Sequence, residues 1–355
     1  MGIMISNPEV PKKVVGIMPP ESSEPLTQEE KLKALEAVSK SLQKQYDCIM
    51  LKKLGDKVNL PIPSISTDLP SLDYRVLGCG GIPRGRIVEI YGPESAGKTA
   101  LSLHIISQCQ KQGGIAAFVD AEHAFDPTFA NNLGVAVDDL YVSQPDYGEQ
   151  ALEVVIALVE SKAVDLIVVD SVSALIPKSE LDGEMTDANM GTHARLMSKA
   201  MRKLIGICNT NRVAVIFINQ IRMKIGVMFG NPEETTGGRA LKFFSSVRLE
   251  VRRVSKSDGG ELKDGETHIG HRLRVKNIKN KVGSPFNQTV VDLLYGSGFD
   301  TKEDMVEYAA SVGVVTLGAW CTVKGSTERY RRNQLTDPDP YAMIIEGVKN
   351  ARKSD

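Results

Sequence analysis

Disulfide chemistry has little to work with in this chain. Its five cysteines, Cys48, Cys79, Cys109, Cys208 and Cys321, are scattered, odd in number and form no CxxC pair. That argues against a disulfide framework and for a reducing compartment. A dominant charge is missing too: 43 Lys and Arg against 44 Asp and Glu leave a formal charge of −1. No global basic field points to nucleic acid or membrane, so any polyanion site must be built locally. No apolar run reaches the roughly 18 residues that a membrane-spanning helix needs, and no internal repeat is visible. The first 26 residues hold Pro8, Pro11, Pro19, Pro20 and Pro25 among mixed charges and read as a flexible leader, not a signal peptide. His268 and His271 make an isolated HxxH in a Gly-rich, charged stretch without a third ligand, which reads as a surface loop and not a metal site. We therefore expect a soluble, cytoplasmic protein with no membrane partner.

What is present is enough for a large core: 355 residues, 42% hydrophobic and 25% charged, which excludes disorder over the whole length. From Thr27 to Tyr46 the residues Leu32, Leu35, Val38 and Leu42 recur at helical spacing, and Thr27 with Glu30 spells a capping box. Pro61, Pro63 and Pro70 then mark a linker. Strand-length apolar runs alternate with helical patterns: Arg86 to Tyr91, Ile115 to Val119, Val164 to Val169 and Val213 to Ile218. This alternation predicts an α/β fold with a mostly parallel sheet. Val247 to Val254 and Leu273 to Ile278 alternate apolar with basic residues, as strands with one wet face do, and predict an antiparallel extension of that sheet. After Gly298 come the single tryptophan, Trp320, and a last helical pattern from Pro340 to Val348, predicting a small C-terminal α/β domain. The expected division is 1–26 leader, 27–60 N-terminal oligomerisation arm, 61–298 core and 299–355 C-terminal domain.

Gly92-Pro93-Glu94-Ser95-Ala96-Gly97-Lys98-Thr99 matches GxxxxGK[ST] between a predicted strand and a helix opening at Ala100. Chance produces such a match about once per hundred chains of this length. The glycines let backbone N–H groups curl round phosphate oxygens, Lys98 neutralises charge on the β/γ-phosphates, and the Thr99 hydroxyl suits Mg²⁺. ATP and Mg²⁺ are thus the expected cofactors. Asp170, ending the buried run Leu166 to Asp170, suits the same metal ion through water; an N-cap role fits that position equally. Hydrolysis needs a group that orients or deprotonates water, and Glu122 or Asp120 at the neighbouring strand end could serve.

Two further segments are basic. Arg195, Lys199 and Arg202 stripe one helix face opposite Leu196, Ala200 and Leu204, the usual pattern of a solvated face. Between Ile221 and Arg239, Arg222, Lys224 and Arg239 mix with Met223, Ile225, Met228, Phe229 and four glycines in no regular period. Such a segment suits a loop that orders on a ligand, its cations on phosphates and its apolar tips between bases; a surface loop or subunit contact fits as well.

These motifs, together with Asp120-Ala-Glu-His123, Val168-Val-Asp-Ser171, Met201-Arg-Lys-Leu204, the run Phe217 to Pro232, Thr235-Thr-Gly-Gly238 and Lys279-Asn-Lys281, closely resemble the bacterial RecA recombinase family from about Thr27 to Trp320. The resemblance implies a P-loop RecA-like core and an ATPase that forms a helical homo-oligomer on single-stranded DNA. It further implies pairing with homologous duplex DNA and strand exchange in recombinational repair. It makes Glu122 the catalytic glutamate, Gln220 the γ-phosphate sensor, and Lys279 and Lys281 the lysines that reach a neighbouring subunit's ATP. Asp126, Phe129 and Tyr295 match the adenine pocket. DNA contacts carried over are Met190, Arg195, Ser198, Arg202, Arg222, Met223, Lys224, Ile225 as a base-step wedge, Gly237, Gly238 and Arg239. A secondary strand site is implied at Arg252, Arg253, Arg274 and Lys276, whose alternation also suits a plain wet sheet face. Repressor coprotease substrates and loader or mediator proteins are further partners that the resemblance implies.

Three departures stand out: a longer leader, an extended loop from Ser255 to His271, and an end, Lys349 to Asp355, without the acidic tail of many members. Duplex binding less restrained by Mg²⁺ is the expected consequence of the last. A ring-forming motor of the same core would explain the P-loop and the trans lysines but not the Gln220 to Gly238 run. A non-catalytic nucleotide-switched filament conflicts with the intact Lys98, Thr99, Glu122 and Asp170.

Overall fold

The computed structural model describes residues 26–46, 62–184, 191–223 and 232–354. The chain divides into two units, residues 1–60 and 61–355. In the first, helix α1 (Gln28–Tyr46) begins at its capping box. Thr27 N and Oγ1 donate to the Glu30 carboxylate at 2.9 and 2.8 Å, and Glu30 N donates back to Thr27 Oγ1 at 3.4 Å. Of its apolar stripe, Leu32 and Leu35 stand exposed.

The second unit opens with β1 (Ser64–Ile65) and β2 (Ile82–Pro83), paired antiparallel across a π-helix at Ser71–Leu77. Strands and helices then alternate: β3 (Ile87–Gly92), α2 (Lys98–Lys111), β4 (Ala116–Asp120), α3 (Pro127–Asn132), β5 (Tyr141–Ser143), α4 (Gly148–Ser161) and β6 (Leu166–Asp170). After a one-turn α5 (Lys178–Leu181) come α6 (Thr192–Asn211), β7 (Ala214–Met223), β8 (Glu233–Thr235) and α7 (Ala240–Phe244). Strands β9 (Val247–Arg253), β10 (Glu261–Asp264), β11 (Thr267–Asn280), β12 (Gln288–Leu294) and β13 (Gly298–Phe299) complete one sheet of order β13-β12-β11-β9-β3-β7-β6-β4-β5, with β8 beside β7 and β10 beside β11. The central strands are apolar almost throughout because helices cover both faces. Leu101 and Ile105 of α2 pack with Val168, Ile216 and Ile218 on one face, and Val155 of α4 and Leu204 of α6 pack with Val169 and Phe217 on the other. Burying one such side chain contributes about 1.5–3 kcal/mol.

Two strand expectations need correction. Val247–Arg253 joins β3 in parallel, and the antiparallel pairing of this extension begins between β9 and β11. Alternation of apolar and charged residues reports that one face is wet; it carries no information about direction. The stretch from Ile221 to Arg239 is also less irregular than expected, since Ile221, Arg222 and Met223 extend β7 and pair antiparallel with Thr235, Glu234 and Glu233. Its ends form a hairpin stem.

The chain closes with α8 (Thr301–Ser311), a small sheet of β14 (Val315–Thr316), β15 (Cys321–Val323) and β16 (Arg329–Tyr330), and α9 (Pro338–Ser354). These elements enclose their own apolar cluster of Val306, Ala309, Val315, Val323, Ile344 and Val348. Pro338 starts α9 two residues before the predicted helix, at a first-turn position where its missing N–H costs nothing. Asp304 of α8 accepts from Ser71 N at 2.9 Å and from Ser71 Oγ, and the Tyr308 ring lies 5.7 Å from that of Tyr74. Burial pushes the carboxyls of Asp304 and nearby Asp73 up to about 6, against the Ser and Thr donors that favour their ionised forms. A carboxyl whose folded pKa stands above its unfolded value of about 3.9 holds an extra proton between the two, so its contribution to stability falls as pH rises through that window. Asp304→Asn cannot ionise, and should gain on the wild type by about 2–3 kcal/mol between pH 4 and pH 7. Urea denaturation at the two pH values checks this; a constant difference between the proteins would contradict it.

Candidate active site

The carboxyl ends of β3, β4, β6 and β7 meet at one edge of the sheet, where parallel sheets collect their ligands. Gly92 pairs in register with Gln220, and Asp120 with Asp170. The turn after β3 is pressed against the neighbouring strands. A Cβ on Gly92 would lie 2.0 Å from Val251 O, and one on Gly97, at φ +85°, would lie 2.7 Å from Leu273 Cδ1. Only glycine fits either place. The first N–H groups of α2 follow at once, at Lys98, Thr99 and Ala100, in position to bind phosphate oxygens. Lys98 is buried and donates from Nζ to Pro93 O at 2.6 Å; burial pushes its pKa down, opposed by Asp170, Glu122 and Glu94.

Thr99 Oγ1 donates to Asp170 Oδ2 at 2.7 Å. Burial, with Glu122 and Asp120 nearby, pushes the Asp170 carboxyl up to about 6 despite that bond. A hydroxyl and a desolvated carboxylate, side by side at the head of a phosphate-binding turn, fit a small hard cation that takes its other ligands from phosphate and water. Asp120 and Glu122 separate clearly. Asp120 is buried and accepts from Ala124 N at 3.2 Å, Phe125 N at 3.0 Å and Gln144 Nε2 at 2.9 Å, so it staples its own turn. Glu122 Oε1 accepts from Ser171 Oγ and, at 3.0 Å, from Gln220 Nε2. Glu122 and Gln220, predicted on separate strands, therefore touch.

Beside the turn lies a cavity of about 500 Å³ walled by Ser95 to Ala100, Phe129, Asn132, Leu133, His271, Leu293 to Gly296 and Gly298, within the size range of small-molecule sites. Phe129 and Tyr295, both exposed, line it. Asp126 does not line it; its Oδ1 caps α3, accepting from Thr128 N at 2.8 Å and Phe129 N at 3.2 Å. Lys279 and Lys281 lie far from their own P-loop. Lys279 is six residues along β11 from Leu273, against which Gly97 packs, a span of about 20 Å. Lys279 Nζ donates to Lys242 O at 2.6 Å and Phe243 O at 2.9 Å, at the C-terminal end of α7, and Lys281 Nζ reaches Phe243 O at 3.4 Å.

Arg195, Lys199 and Arg202 stand exposed along α6, opposite buried Met197, Ala200, Met201 and Leu204, while Leu196 is only half-buried. Arg202 Nη2 donates to Ser198 Oγ at 3.0 Å. Arg222 and Met223 are exposed on the hairpin stem, and Arg239 follows Gly237 and Gly238, whose Cβ atoms would come within 2.8 Å of Val172 Cγ1 and Ala194 Cβ. Met190, Lys224 and Ile225, with Asp187, Met228 and Phe229, lie outside the described residues. The four cations assigned to a secondary strand site do not share one face. Arg252 sits opposite Arg274, and Lys276 opposite Glu250, on one side of the sheet; Arg253 pairs with Leu273 on the other, where its Nη2 donates to Tyr295 Oη at 3.2 Å. Arg252 is engaged by Glu233 and, at 3.0 Å, by Glu250.

The family model for the RecA N-terminal domain matches residues 33–300 of this chain. The RecA protein of Sulfurimonas denitrificans is 55% identical over 292 residues, 82% of this chain and 83% of that protein. The chain belongs to the RecA family. The RecA proteins of Heliobacterium modesticaldum and Streptomyces coelicolor are 54% and 50% identical over 297 and 319 residues, covering 83% and 88% of this chain and 84% of each relative. Among solved structures, the RadB recombinase aligns with a TM-score of 0.49 at 19% identity, over 66% of this chain and 98% of that one. As a RecA-family member the chain is an ATP-dependent recombinase and DNA-dependent ATPase of DNA repair. No helix among the described residues is long and apolar enough to cross a membrane.

Several residues of this RecA-family site escape a motif-level reading. Ser171 was visible beside Asp170, but nothing in its type announced a bond to Glu122. Glu89 has a fully buried side chain in β3, paired with Arg248 and accepting from Asn219 Nδ2 at 2.9 Å. Asn219 Oδ1 in turn accepts from Gln220 N at 2.9 Å and from Thr236 Oγ1 at 2.5 Å. A lone acid inside an apolar strand was the available signal. The histidine pair also departs from its expected loop. His268 and His271 belong to β11, His268 exposed 3.7 Å from Glu261 and His271 buried in the cavity wall.

Proposed function

We propose that this RecA-family chain binds ATP with Mg²⁺ between its P-loop and Asp170, assembles as a helical filament on single-stranded DNA, and exchanges that strand with a homologous duplex. One observation carries the coupling of these activities. Gln220, hydrogen-bonded to Glu122, lies in the same strand as Arg222 and Met223, two and three residues further on. A group that senses the γ-phosphate there is joined by unbroken β-backbone to the hairpin proposed to hold DNA. Thr99 and Asp170 would hold the Mg²⁺, which supplies charge neutralisation on the β/γ oxygens. The chain's own groups do the rest. Lys98 leaves Pro93 O for the phosphates, Gln220 orients the γ-phosphoryl, and Glu122, its Oε1 occupied by two donors, takes a proton from water at Oε2. Lys279 and Lys281, out of reach of their own P-loop, complete the site of the adjacent subunit. The exposed Leu32 and Leu35 of α1 support its role as the arm that docks on a neighbour.

Joint-molecule formation tests this reading. Labelled single-stranded DNA, ATP and Mg²⁺ are expected to give product with homologous duplex and none with heterologous duplex. ATP hydrolysis without homology-dependent product would instead indicate a motor on the same core.

A further inference from the structure

Strand β11 changes face once along its length. In register with β9, Asn277 stands opposite Leu249, Lys279 opposite Arg248 and Asn280 opposite Val247, so Ile278 is an extra residue, a β-bulge. Residues paired across a sheet share a face. Asn277 and Asn280, although three residues apart, therefore both lie with Leu249 and Val247 on the core side, and Lys279 lies with Arg248 on the other. Without the bulge, residues 277 and 279 would share one face and Lys279 would point into the core. The two asparagines then fasten the strand. Asn277 Nδ2 donates to Val76 O at 2.8 Å and Asn280 Nδ2 to Leu77 O at 2.9 Å, the last two carbonyls of the π-helix Ser71–Leu77. Carbonyls at a helix end have no partner within their own helix, so each amide satisfies one of them. Asn280 Oδ1 also accepts from Val282 N at 2.9 Å and shapes the turn that follows, where a Cβ on Gly283 would lie 2.4 Å from Leu77 O. Asn277 is fully buried, and its Oδ1 has no partner among the described residues. An apolar side chain of that size would carry no such cost, so what the amide adds at this position is the bonds it donates. The helix that receives them is itself fixed: Leu72, Val76 and Leu77 are fully buried, and Asp304 holds its first residue, Ser71.

Resting on the reading that Lys279 and Lys281 serve the adjacent subunit's ATP, we propose that Asn277 and Asn280 are positioning residues for that reaction: by clamping β11 to the π-helix on either side of the bulge, they fix the backbone from which both lysines reach across. The lysine side chains swing from the Lys242 and Phe243 carbonyls to the phosphate, while their Cα atoms stay where the amides hold them. Misplacing a catalytic group by about 1 Å can cost about 10²-fold in rate.

The test uses the full chain with single-stranded DNA. Asn280→Asp keeps the size of the side chain and still accepts from Val282 N, but sets an oxygen against Leu77 O where an N–H stood. It should lower kcat for ATP about 10²-fold and leave the Kd of a fluorescent ATP analogue within a few-fold of normal. Asn280→Ala, which loses the bond without the repulsion, should do the same to a smaller degree. The deciding readout is where the defect resides. Mixed one to one with Lys98→Ala subunits, either variant should reach at least about a quarter of wild-type ATPase activity, because its own P-loop is sound and the Lys98→Ala neighbours supply well-aimed lysines. A fault in folding, or in the variant's own nucleotide site, would not be rescued in this way. Wild-type kcat in both variants overturns the role of the asparagines. So does a failure of both mixtures to recover while Lys279→Ala with Lys281→Ala recovers beside the same Lys98→Ala subunits. No recovery of that double-lysine variant overturns the trans reading itself.

Discussion

The Glu122→Gln variant is expected to hydrolyse ATP roughly 10²–10⁴ times more slowly than the wild type, while binding ATP within a few-fold of normal. The amide is isosteric, and its oxygen still accepts from Ser171 Oγ and from Gln220 Nε2, so the contacts around position 122 survive. What disappears is the basic oxygen proposed to take a proton from water. The variant should therefore hold ATP in an assembled, DNA-bound state. Fluorescence anisotropy of labelled single-stranded DNA should show complexes that persist after excess competitor is added, whereas wild-type complexes turn over as ATP is consumed. Unaltered turnover would remove Glu122 from the chemistry and reopen the question for a water held by Gln220 alone. Asp120 does not compete for the role: three donors already occupy its carboxylate, and Asp120→Asn should disturb the turn at Ala124 and Phe125 before it changes the chemical step.

Removing both lysines proposed to act in trans, by Lys279→Ala with Lys281→Ala, should lower DNA-dependent ATPase activity by about 10³-fold or more, the scale of a charge supplied by a neighbouring subunit to a transferring phosphoryl group. Both ammonium groups rest on carbonyls at the end of α7, and burial with Lys281 and Arg248 close by pushes the Lys279 pKa down to about 8. A cation held so near neutrality is stabilised by meeting an anion, as it would on reaching phosphate. Mixing makes the prediction sharper. Lys98→Ala subunits lack a working P-loop but keep their lysines, and the double-lysine variant has the converse defect. In a head-to-tail filament mixed one to one, about one interface in four joins a sound P-loop to sound lysines, so the mixture should hydrolyse ATP although neither parent does. A mixture as inactive as its parents would mean that the lysines serve stability, not the adjoining site.

The parts of the site legible in the sequence are those whose chemistry demands residue types at short spacing. The P-loop needs Gly97, Lys98 and Thr99 together, and the apolar run before Asp170 announces a carboxylate at the end of a buried strand. Family resemblance added Glu122, Gln220 and the two lysines, none of which spacing alone could assign. Legibility failed where meaning depends on what lies across the sheet. The pattern in Val247–Arg253 revealed a wet face and not the parallel pairing with β3. Four cations in two neighbouring strands looked like one basic surface, yet Arg253 lies on the side of the sheet that carries Tyr295 and Arg252 is engaged by Glu233 and Glu250. Ile221 to Met223 showed no period because three residues are too few to show one, although they pair in register. His271 read as part of a loop because neighbouring glycines and charges outweighed a β-bridge whose partners lie at Glu261 and Leu293.

Strand β11 is read from both sides. His271 lines the cavity beside the P-loop and Leu273 packs against Gly97, while Arg272, Arg274 and Lys276 project from the opposite face. Inserting or deleting a single residue between 271 and 276 would exchange the two sets at one stroke, placing cations against the P-loop and apolar groups in water. Changes of length are therefore expected to accumulate elsewhere in the hairpin, at the turn between Asp264 and Thr267, where Gly265 has open space around it and neither face is committed. Over evolutionary time, such a strand can lengthen at its tip while its two-sided stretch keeps strict count.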